Sequence, residues 1–375
     1  MDNWSRRSFF FTSLGAGALA GARRMFGAAL PAGQGGTAGT RPLIVSSANG
    51  LKYLDRGMAV LKKGGDTLDA VLAVVTAVED DPNDDSVGYG GLPNEEGDVE
   101  LDACVMHGPT RRAGSVASIR KVKNPSLVAR VVMERTDHVM LAGDGARRFA
   151  VDQGFQEMNL LTERSRLAWL AWKASTNKNW RPGLDSPEWK KELAGLLDTP
   201  EKQAWAAHIE DVVMHPPTGT INCLAVDASG ALSGTTTTSG LSWKIPGRVG
   251  DSPIIGAGLF VDGDIGGAGS TGRGEENIKV SGGHTIVEAM RRGASPNDAC
   301  LEALKRIARN YNNNMERLSQ FYVKFYAINK AGQHGGAGLW QKNPSGGSDS
   351  TYAVDEGSGP KLVEAPYLFS GARAV

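Results

Sequence analysis

The chain has 375 residues, of which 41% are hydrophobic and 22% are charged, and this composition excludes a disordered, collagenous or coiled-coil chain. Its 41 basic and 41 acidic side chains balance, which excludes a dedicated nucleic-acid binder or a polybasic membrane-surface protein. Three cysteines without CxxC spacing (Cys104, Cys223 and Cys300) are too few for a disulfide framework and are predicted to be buried. The 49 glycines are nearly twice the average usage of about 7%, and they cluster in a few segments.

Residues 1–33 are predicted to be an export signal. Arg6 and Arg7 precede an apolar stretch, Phe9–Ala22, that is shorter than the ~20 residues of a membrane-spanning helix. The segment SRRSFF resembles the twin-arginine signal, so we expect a periplasmic protein that is exported in its folded state. The alternative is a disordered basic tail, and Arg23-Arg24 interrupts the signal pattern before the expected cleavage site.

Apolar periodicity and helix-boundary signals predict the elements of the first half of the chain. Gly64-Gly65 ends one helix, and Asp66 is a typical N-cap for the next. In chain order, the predicted elements are a strand at Arg41–Ser47, helices at Leu51–Lys63 and Leu68–Val78, a turn-rich loop at Ser86–Asn94, a strand at Glu100–Met106, and helices at Ser126–Glu134 and Gly145–Gln153.

Residues 155–218 form a segment of different character, with five of the eight tryptophans and many charges of both signs. Nucleic-acid stacking platforms come with basic grooves, so we interpret these aromatic side chains as anchors that hold a long insert on the core. Surface helices are predicted at Glu163–Lys173 and Pro187–Leu196.

The second half of the chain favours strands and hairpins followed by two helices. Ser295 is a predicted N-cap with Pro296 at the first helical position. The predicted elements are a strand at Thr220–Asp227, a hairpin partner that begins at Ala231–Ser233, helices at Gly283–Gly293 and Pro296–Arg309, and a hairpin of Gln320–Asn329 with Ala337–Gln341 around a Gly332–Gly336 turn. Helices and strands in separate runs indicate α+β layers rather than alternating βαβ units.

The sequence carries none of several common site motifs. The six histidines lack metal-ligand spacing, and there is neither a GxSxG elbow nor a Walker A motif. The glycine-rich segment Gly263–Glu275 is not a phosphate loop, because no lysine followed by serine or threonine is present. No metal and no cofactor is predicted.

Four hydroxyl- and glycine-rich motifs remain: HPPTGT at 215–220, GTTTTSG at 234–240, PGRVGDSP at 246–253 and STGRGE at 270–275. Together they resemble the N-terminal-nucleophile hydrolases of the glycosylasparaginase and type 2 asparaginase family. Ser86–Asp102 and His138–Ala150 resemble the first half of that family, and Thr220–Glu275 resembles its second half. The resemblance covers nearly the whole chain after the export signal, and GRVGDSP is its most specific motif.

The resemblance implies a four-layer αββα sandwich formed by one catalytic domain. It also implies that the precursor cleaves itself at Gly219–Thr220, giving an α subunit of residues 34–219 and a β subunit of residues 220–375. Two such αβ heterodimers are expected to form a dimer.

Thr220 is the predicted nucleophile and autocleavage residue. A threonine hydroxyl is a weak nucleophile until a base activates it, and a threonine at a new chain start carries its own base, an α-amine with a pKa of about 7.7–8.0. Gly219 suits the cleavage because glycine tolerates strained backbone and leaves its carbonyl accessible. The alternative for Thr220 is an ordinary β-branched strand residue.

By the same resemblance, Arg248 and Asp251 would bind the α-carboxylate and the α-ammonium of an asparagine-type substrate. Thr271 and Gly272 would stabilise an oxyanion and help to bind substrate, and Thr238 would polarise the Thr220 hydroxyl. Simpler alternatives remain: an Arg248–Asp251 salt bridge, a tight turn at Thr271-Gly272, and a strand-end turn at Thr238.

The expected activity is cleavage of the side-chain amide of N-acetylglucosaminyl-asparagine to aspartate and a glycosylamine. Two features depart from the glycosylasparaginase pattern: Thr218-Gly219-Thr220 stands where His-Asp-Thr is usual, and no tryptophan follows the first strand, in Ser46–Leu51. The GYGGLPNEEG loop at 88–97 favours the glycosylasparaginase branch. The alternatives are an L-asparaginase or β-aspartyl peptidase, and an uncleaved protein that binds amino acids.

Overall fold

The computed structural model describes residues 42–177, 189–217, 219–344 and 346–374. The export signal predicted at 1–33, Trp180 of the tryptophan-rich segment and Thr218 of the scissile motif lie outside these residues.

Two sheets are built by the described residues. The larger has the strand order β12-β11-β1-β5-β6-β2-β3-β4, and the smaller has the order β13-β10-β9-β8-β7. The strands are β1 Leu43–Ser47, β2 Glu100–His107, β3 Arg112–Arg120, β4 Met140–Ala142, β5 Ile221–Val226, β6 Leu232–Thr238, β7 Leu259–Asp262, β8 Gly266–Gly272, β9 Val323–Asn329, β10 His334–Lys342, β11 Thr351–Asp355, β12 Lys361–Glu364 and β13 Tyr367–Ala372.

The helices begin and end close to the predicted signals. Asp66 accepts a hydrogen bond from the Leu68 N–H, and Ser295 accepts one from the Asp298 N–H, as their N-cap role requires. The helices are α1 Leu54–Lys62, α2 Thr67–Glu79, α3 Pro125–Arg135, α4 Gly143–Asp152, α5 Glu163–Thr176, α6 Trp189–Leu196, α7 Pro200–Ala204, α8 Ala206–Met214, α9 Gly274–Ile278, α10 Gly282–Arg291, α11 Pro296–Asn310 and α12 Met315–Leu318.

Three apolar clusters stack these elements into four layers. One cluster packs α1–α4 on the outer face of the larger sheet, and a second packs α10 and α11 on the outer face of the smaller sheet. The third lies between the sheets, where Leu224 and Leu232 of one sheet meet Leu259 and Ile328 of the other. The predicted α+β class and αββα sandwich are confirmed. Because the central strands are covered on both faces, β5 and β6 are buried along their whole length.

The glycine-rich segment at 263–275 contains strand β8 rather than a loop. Its glycines allow the two sheets to approach closely: a Cβ on Gly269 would lie 1.9 Å from the Asn222 side-chain nitrogen on β5. Glycine disfavours strands in general, so the sequence pattern does not indicate one here, and the close packing between the sheets supplies the reason for it.

Several predicted boundaries were wrong in detail. The helix predicted over Leu51–Lys63 begins as a 3₁₀ turn at Ala48–Tyr53 and becomes α-helical at Leu54. β10 already begins at His334, inside the predicted Gly332–Gly336 turn. Of the helix predicted at Pro187–Leu196, Trp189–Leu196 is helical, and Pro187 lies outside the described residues. The sequence reasoning missed the following elements: β3, β4, β7, β8, α7, α8, α9, α12 and β11–β13.

The tryptophan-rich segment is a helical layer attached to the core by its apolar side. Leu167, Ile209 and Val212 form a buried cluster with residues of the main body, including Trp243. Trp172 stacks on Trp243 with ring centroids 5.2 Å apart, which confirms its anchoring role.

The three cysteines are buried, as predicted, and burial raises the pKa of each thiol. In the part of the chain that the structure describes, no helix is long and apolar enough to cross a membrane.

Candidate active site

The hairpin of β5 and β6 brings Thr220 beside Thr238. In its register Ile221 pairs with Thr237, so the residue before β5 faces the last residue of β6. Thr220 Oγ1 lies 2.7 Å from the Gly219 carbonyl oxygen and 3.1 Å from Thr238 Oγ1, and Thr238 Oγ1 donates over 2.8 Å to the same carbonyl oxygen. The two hydroxyls thus form a short hydrogen-bonded chain that ends on the carbonyl of the predicted scissile bond.

Thr238 also accepts a hydrogen bond from the Gly240 N–H over 2.9 Å, which is the strand-end turn considered as its simpler role. This turn and the contact with Thr220 coexist. Because the turn fixes the hydroxyl of Thr238, it also orients the proton that Thr238 directs at Gly219.

Gly219 packs directly against Ser86. A Cβ on Gly219 would lie 2.0 Å from Ser86 Oγ, closer than real Cβ contacts ever are. Ser86 is itself held, since its hydroxyl donates to Asp84 Oδ1 over 2.6 Å and its carbonyl accepts from the Ser239 N–H. Asp84 is half-buried, and this burial raises the pKa of its carboxyl. The Gly219–Thr220 linkage therefore lies against the hydrogen-bonded side chain of Ser86, a contact that the sequence did not indicate.

Arg248 is oriented by a partner that the sequence reasoning missed. Its guanidinium donates from Nε and Nη2 to the two carboxylate oxygens of Glu275, over 2.9 and 2.8 Å. Burial raises the pKa of Glu275, but the charge of Arg248 and further hydrogen bonds outweigh burial and lower it overall. The predicted alternative, a salt bridge between Arg248 and Asp251, is wrong, because these two described side chains have separate partners.

Asp251 is held by two buried polar groups. Its Oδ2 accepts hydrogen bonds from Ser270 Oγ over 2.5 Å and from Asn277 Nδ2 over 2.7 Å. Ser270 lies on β8 and Asn277 lies on α9, so the end of the smaller sheet fixes this carboxylate. Asp251 is buried, with 7% of its surface exposed.

One small cavity joins these residues. It has a volume of about 10 Å³, room for about one water molecule. Its lining includes the predicted site residues Gly219, Thr220, Thr238, Arg248, Asp251 and Gly272. Six of the seven predicted site residues therefore converge on one point.

Thr271, the seventh, presents its hydroxyl to tyrosines. Thr271 Oγ1 lies 2.8 Å from the Tyr326 hydroxyl and 3.3 Å from the Tyr322 hydroxyl. Gly272 has φ +107°, and a Cβ there would lie 2.3 Å from the Tyr322 carbonyl oxygen, so only glycine fits. The oxyanion role of Thr271 and Gly272 stays a prediction.

A buried lysine lies beneath the site. Lys244 Nζ donates to the carbonyl oxygens of Glu100 and Ser239, over 3.0 and 3.1 Å, and burial lowers its pKa. Asp102 is fully buried, and burial raises the pKa of its carboxyl against the opposing charge of Lys244. The hydrogen bond to Ser239 places Lys244 next to the turn that follows Thr238.

A larger cavity of about 600 Å³ opens beside the small one, and Gly219 and Leu241 line both. The larger cavity is also lined by Phe321, Tyr322 and Arg273. Its size lies in the ~300–1,000 Å³ range of small-molecule sites. Sequence reasoning did not find it, because its walls come from distant segments.

No group of three or more His, Cys, Asp or Glu side chains that could hold a metal ion occurs among the residues the structure describes. The residues that converge on Thr220 are hydroxyl, guanidinium, carboxylate and backbone groups. Such a set provides a nucleophile, a hydrogen-bond donor for a carbonyl oxygen, and opposite charges for a zwitterion.

Known proteins resemble this chain over most of its length. A family model described as "Asparaginase" matches residues 43–316. An N(4)-(beta-N-acetylglucosaminyl)-L-asparaginase of Elizabethkingia miricola is 45% identical over 79% of this chain and 78% of its own. A protein of the same name from Mus musculus is 36% identical over 72% of this chain and 79% of its own length. A probable isoaspartyl peptidase/L-asparaginase of Arabidopsis thaliana is 32% identical over 79% of this chain and 84% of its own. The chain therefore belongs to the asparaginase family, a family of N-terminal-nucleophile amidohydrolases.

Proposed function

We propose that this protein is an autoprocessing amidohydrolase. It cleaves its own Gly219–Thr220 bond and then releases aspartate from N-acetylglucosaminyl-asparagine. The observation that carries the proposal is the hydrogen-bonded chain from the Thr220 hydroxyl through Thr238 to the Gly219 carbonyl, in one cavity with Arg248 and Asp251.

The first reaction is an acyl shift from nitrogen to oxygen. Thr220 Oγ1 bonds to the Gly219 carbonyl carbon, the C–N bond of the linkage breaks, and the hydroxyl proton passes to the Thr220 nitrogen. Thr238 donates a hydrogen bond to the carbonyl oxygen as negative charge develops there. Water then hydrolyses the ester and leaves Thr220 with a free amine.

The second reaction uses that amine as the base. It accepts the Thr220 hydroxyl proton while Oγ1 attacks the side-chain amide carbon of the substrate, and the proton then goes to the departing amine. Water hydrolyses the resulting β-aspartyl ester and releases aspartate. Arg248 and Asp251 hold the α-carboxylate and the α-ammonium, so the amide carbon is presented to Oγ1.

A sugar amine is the leaving group that the surroundings of the site favour. The cavity of about 600 Å³ adjoins the scissile linkage, and ammonia would not need such a space. Phe321 and Tyr322 provide apolar and aromatic surface there, although the region after the first strand has no tryptophan. The relative from Elizabethkingia miricola, whose name specifies this substrate, supports the same choice.

A β-aspartyl peptidase or L-asparaginase is the second candidate. Gly219 before the nucleophile resembles that branch, and the Arabidopsis thaliana relative carries both names. Rates of aspartate release from N-acetylglucosaminyl-asparagine, free asparagine and a β-aspartyl dipeptide distinguish the candidates. We expect the highest kcat/KM for the glycosylated substrate, and a higher value for the dipeptide would favour the second candidate.

Thr220→Ala tests the nucleophile. Denaturing electrophoresis and intact mass should show two chains for the wild type, the second beginning at Thr220, and one inactive chain for the variant. Thr220→Ser should restore cleavage, and Thr76→Ala, whose hydroxyl bonds only within α2, is the control. A cleaved or active Thr220→Ala protein would refute the assignment. A single wild-type chain that binds amino acids without releasing aspartate would indicate the uncleaved binding protein.

Export and assembly belong to the same proposal. The arginine pair and apolar stretch within residues 1–33 support export to the periplasm, and the family resemblance supports a dimer of αβ heterodimers. Cell fractionation with an Arg6→Lys/Arg7→Lys variant, and the solution mass of the purified enzyme, test these two points.

A further inference from the structure

The short helix α9 contacts both of the residues that are expected to bind the charged groups of the substrate, Arg248 and Asp251. We propose that Glu275 and Asn277 are positioning residues: Glu275 sets the recognition of the substrate α-carboxylate through Arg248, and Asn277 sets the recognition of the α-ammonium through Asp251. This inference rests on the proposed function.

Glu275 fixes Arg248 and leaves part of the guanidinium available. It occupies Nε and one N–H of Nη2, whereas a guanidinium has five N–H donors. A Cβ on Gly250 would lie 3.0 Å from Nη1 and one on Gly240 would lie 3.3 Å from it, so Nη1 lies against two glycines that line the small cavity. The edge of the guanidinium that Glu275 leaves open therefore faces the place where the substrate would bind.

Arg273 adds a second cation to Glu275, with Nε 3.1 Å from Oε2. The carboxylate is thus shared between two guanidinium groups and does not neutralise Arg248 alone. The Arg248 side chain is 17% exposed, so its attraction for a substrate carboxylate is only partly screened by water.

Asn277 fixes Asp251 in a fully buried network. Its Nδ2 lies 2.7 Å from Asp251 Oδ2, 2.8 Å from Ser270 Oγ and 2.9 Å from the Ala257 carbonyl oxygen. Its Oδ1 accepts from the Gly282 N–H over 2.9 Å, so the amide cannot rotate without losing partners. Gly274 brings the backbone of α9 onto the same carboxylate, since a Cβ there would lie 2.6 Å from Asp251 Oδ1.

Glu275 and Asn277 are two residues apart on this helix, so α9 fixes the two binding groups relative to each other. Opposite charges at a set distance select a zwitterion over a ligand with one charged group. The inference separates the two ends: a change at Glu275 should weaken carboxylate recognition, and a change at Asn277 should weaken ammonium recognition.

Inhibition constants of three compounds test this on the mature enzyme. L-aspartate has both α-groups, succinate lacks the amine, and β-alanine lacks the α-carboxylate. For Glu275→Gln, we expect inhibition by aspartate and succinate to weaken roughly 10-fold, as for loss of a charge-assisted contact, and inhibition by β-alanine to change less than about twofold. Glu275→Asp should recover part of the loss. Glu276→Gln, whose carboxylate pairs with Lys279, is the matched control and should match the wild type.

For Asn277→Ala the pattern should reverse, with weaker inhibition by aspartate and β-alanine and an unchanged value for succinate. Ser270→Ala removes the other donor to Asp251 and should act in the same direction if the Asn277 variant does not fold. The inference would be overturned if Glu275→Gln weakened inhibition by succinate and by β-alanine equally, or if it changed kcat alone. Denaturing electrophoresis of each variant distinguishes this outcome from a failure of the proposed function, because two chains show that cleavage has taken place.

Discussion

Gly219→Ala should strongly slow cleavage of the chain without unfolding it. The new Cβ would lie 2.0 Å from Ser86 Oγ and 2.1 Å from Ser86 Cβ. The prediction rests on this collision between the new Cβ and the Ser86 side chain. Ser86 has little freedom to yield, because Asp84 and the Ser239 N–H hold its hydroxyl and its carbonyl.

The collision sets the size of the effect. Overpacking by one carbon typically costs about 1–3 kcal/mol of folding free energy, which a chain of this size tolerates. The reaction is more sensitive than the fold, because a displacement of about 1 Å between reacting groups costs about 10²-fold in rate. We therefore expect cleavage about 100-fold slower than in the wild type, with a folded chain.

Two double variants make this a steric test. Ser86→Gly removes both colliding atoms, and Ser86 Cα, at an ordinary distance of 3.6 Å, would then be the nearest atom. Ser86→Ala leaves Cβ at 2.1 Å. In a Gly219→Ala background, Ser86→Gly should thus restore part of the cleavage rate and Ser86→Ala should not, measured by time-resolved denaturing electrophoresis of freshly synthesised chain. Wild-type cleavage of Gly219→Ala, or equal rescue by both, would refute the reasoning.

Two further predictions follow from buried hydrogen bonds. Thr238→Val removes the hydroxyl that donates to Gly219, and should slow cleavage about 10²–10³-fold in the same electrophoretic assay; an unchanged rate would contradict its role. Glu79 is fully buried and accepts a hydrogen bond from Thr237, and burial raises its pKa from 4.5 to about 7. The stability contributed by Glu79 is fully present below pH 4.5 and is lost as the pH rises through 7, because the folded protein holds this proton more tightly than the unfolded chain does. Glutamine does not titrate, so the free energy of unfolding of Glu79→Gln, measured in urea, should rise by about 3 kcal/mol relative to that of the wild type between pH 4.5 and 8. A difference that does not depend on pH would contradict this.

The predictive value of the sequence was greatest where one segment determines its own structure. The caps at Asp66 and Ser295 depend on neighbouring residues only, and both are as predicted. The motif around Arg248 and Asp251 also indicated which side chains line the cavity.

The partners of those side chains were beyond such reasoning. Arg248 pairs with Glu275, and Gly219 packs on Ser86, across 27 and 133 positions of sequence. Nothing local distinguishes a carboxylate that orients an arginine from one on a solvated turn. Likewise, the glycines of β8 argue against a strand until the opposite sheet, with Asn222 against Gly269, is taken into account.

The spacing of the two central motifs nevertheless has a structural cause. Thr220 and Thr238 are 18 positions apart because the β5–β6 hairpin pairs Ile221 with Thr237. A register slip of one residue would turn the hydroxyl of Thr238 to the opposite face of the sheet, away from Thr220. The full burial of both strands specifies that register, because apolar residues such as Leu224 pack between the sheets. The packing that stabilises the centre of the molecule is thus also what places one hydroxyl within hydrogen-bonding distance of the other.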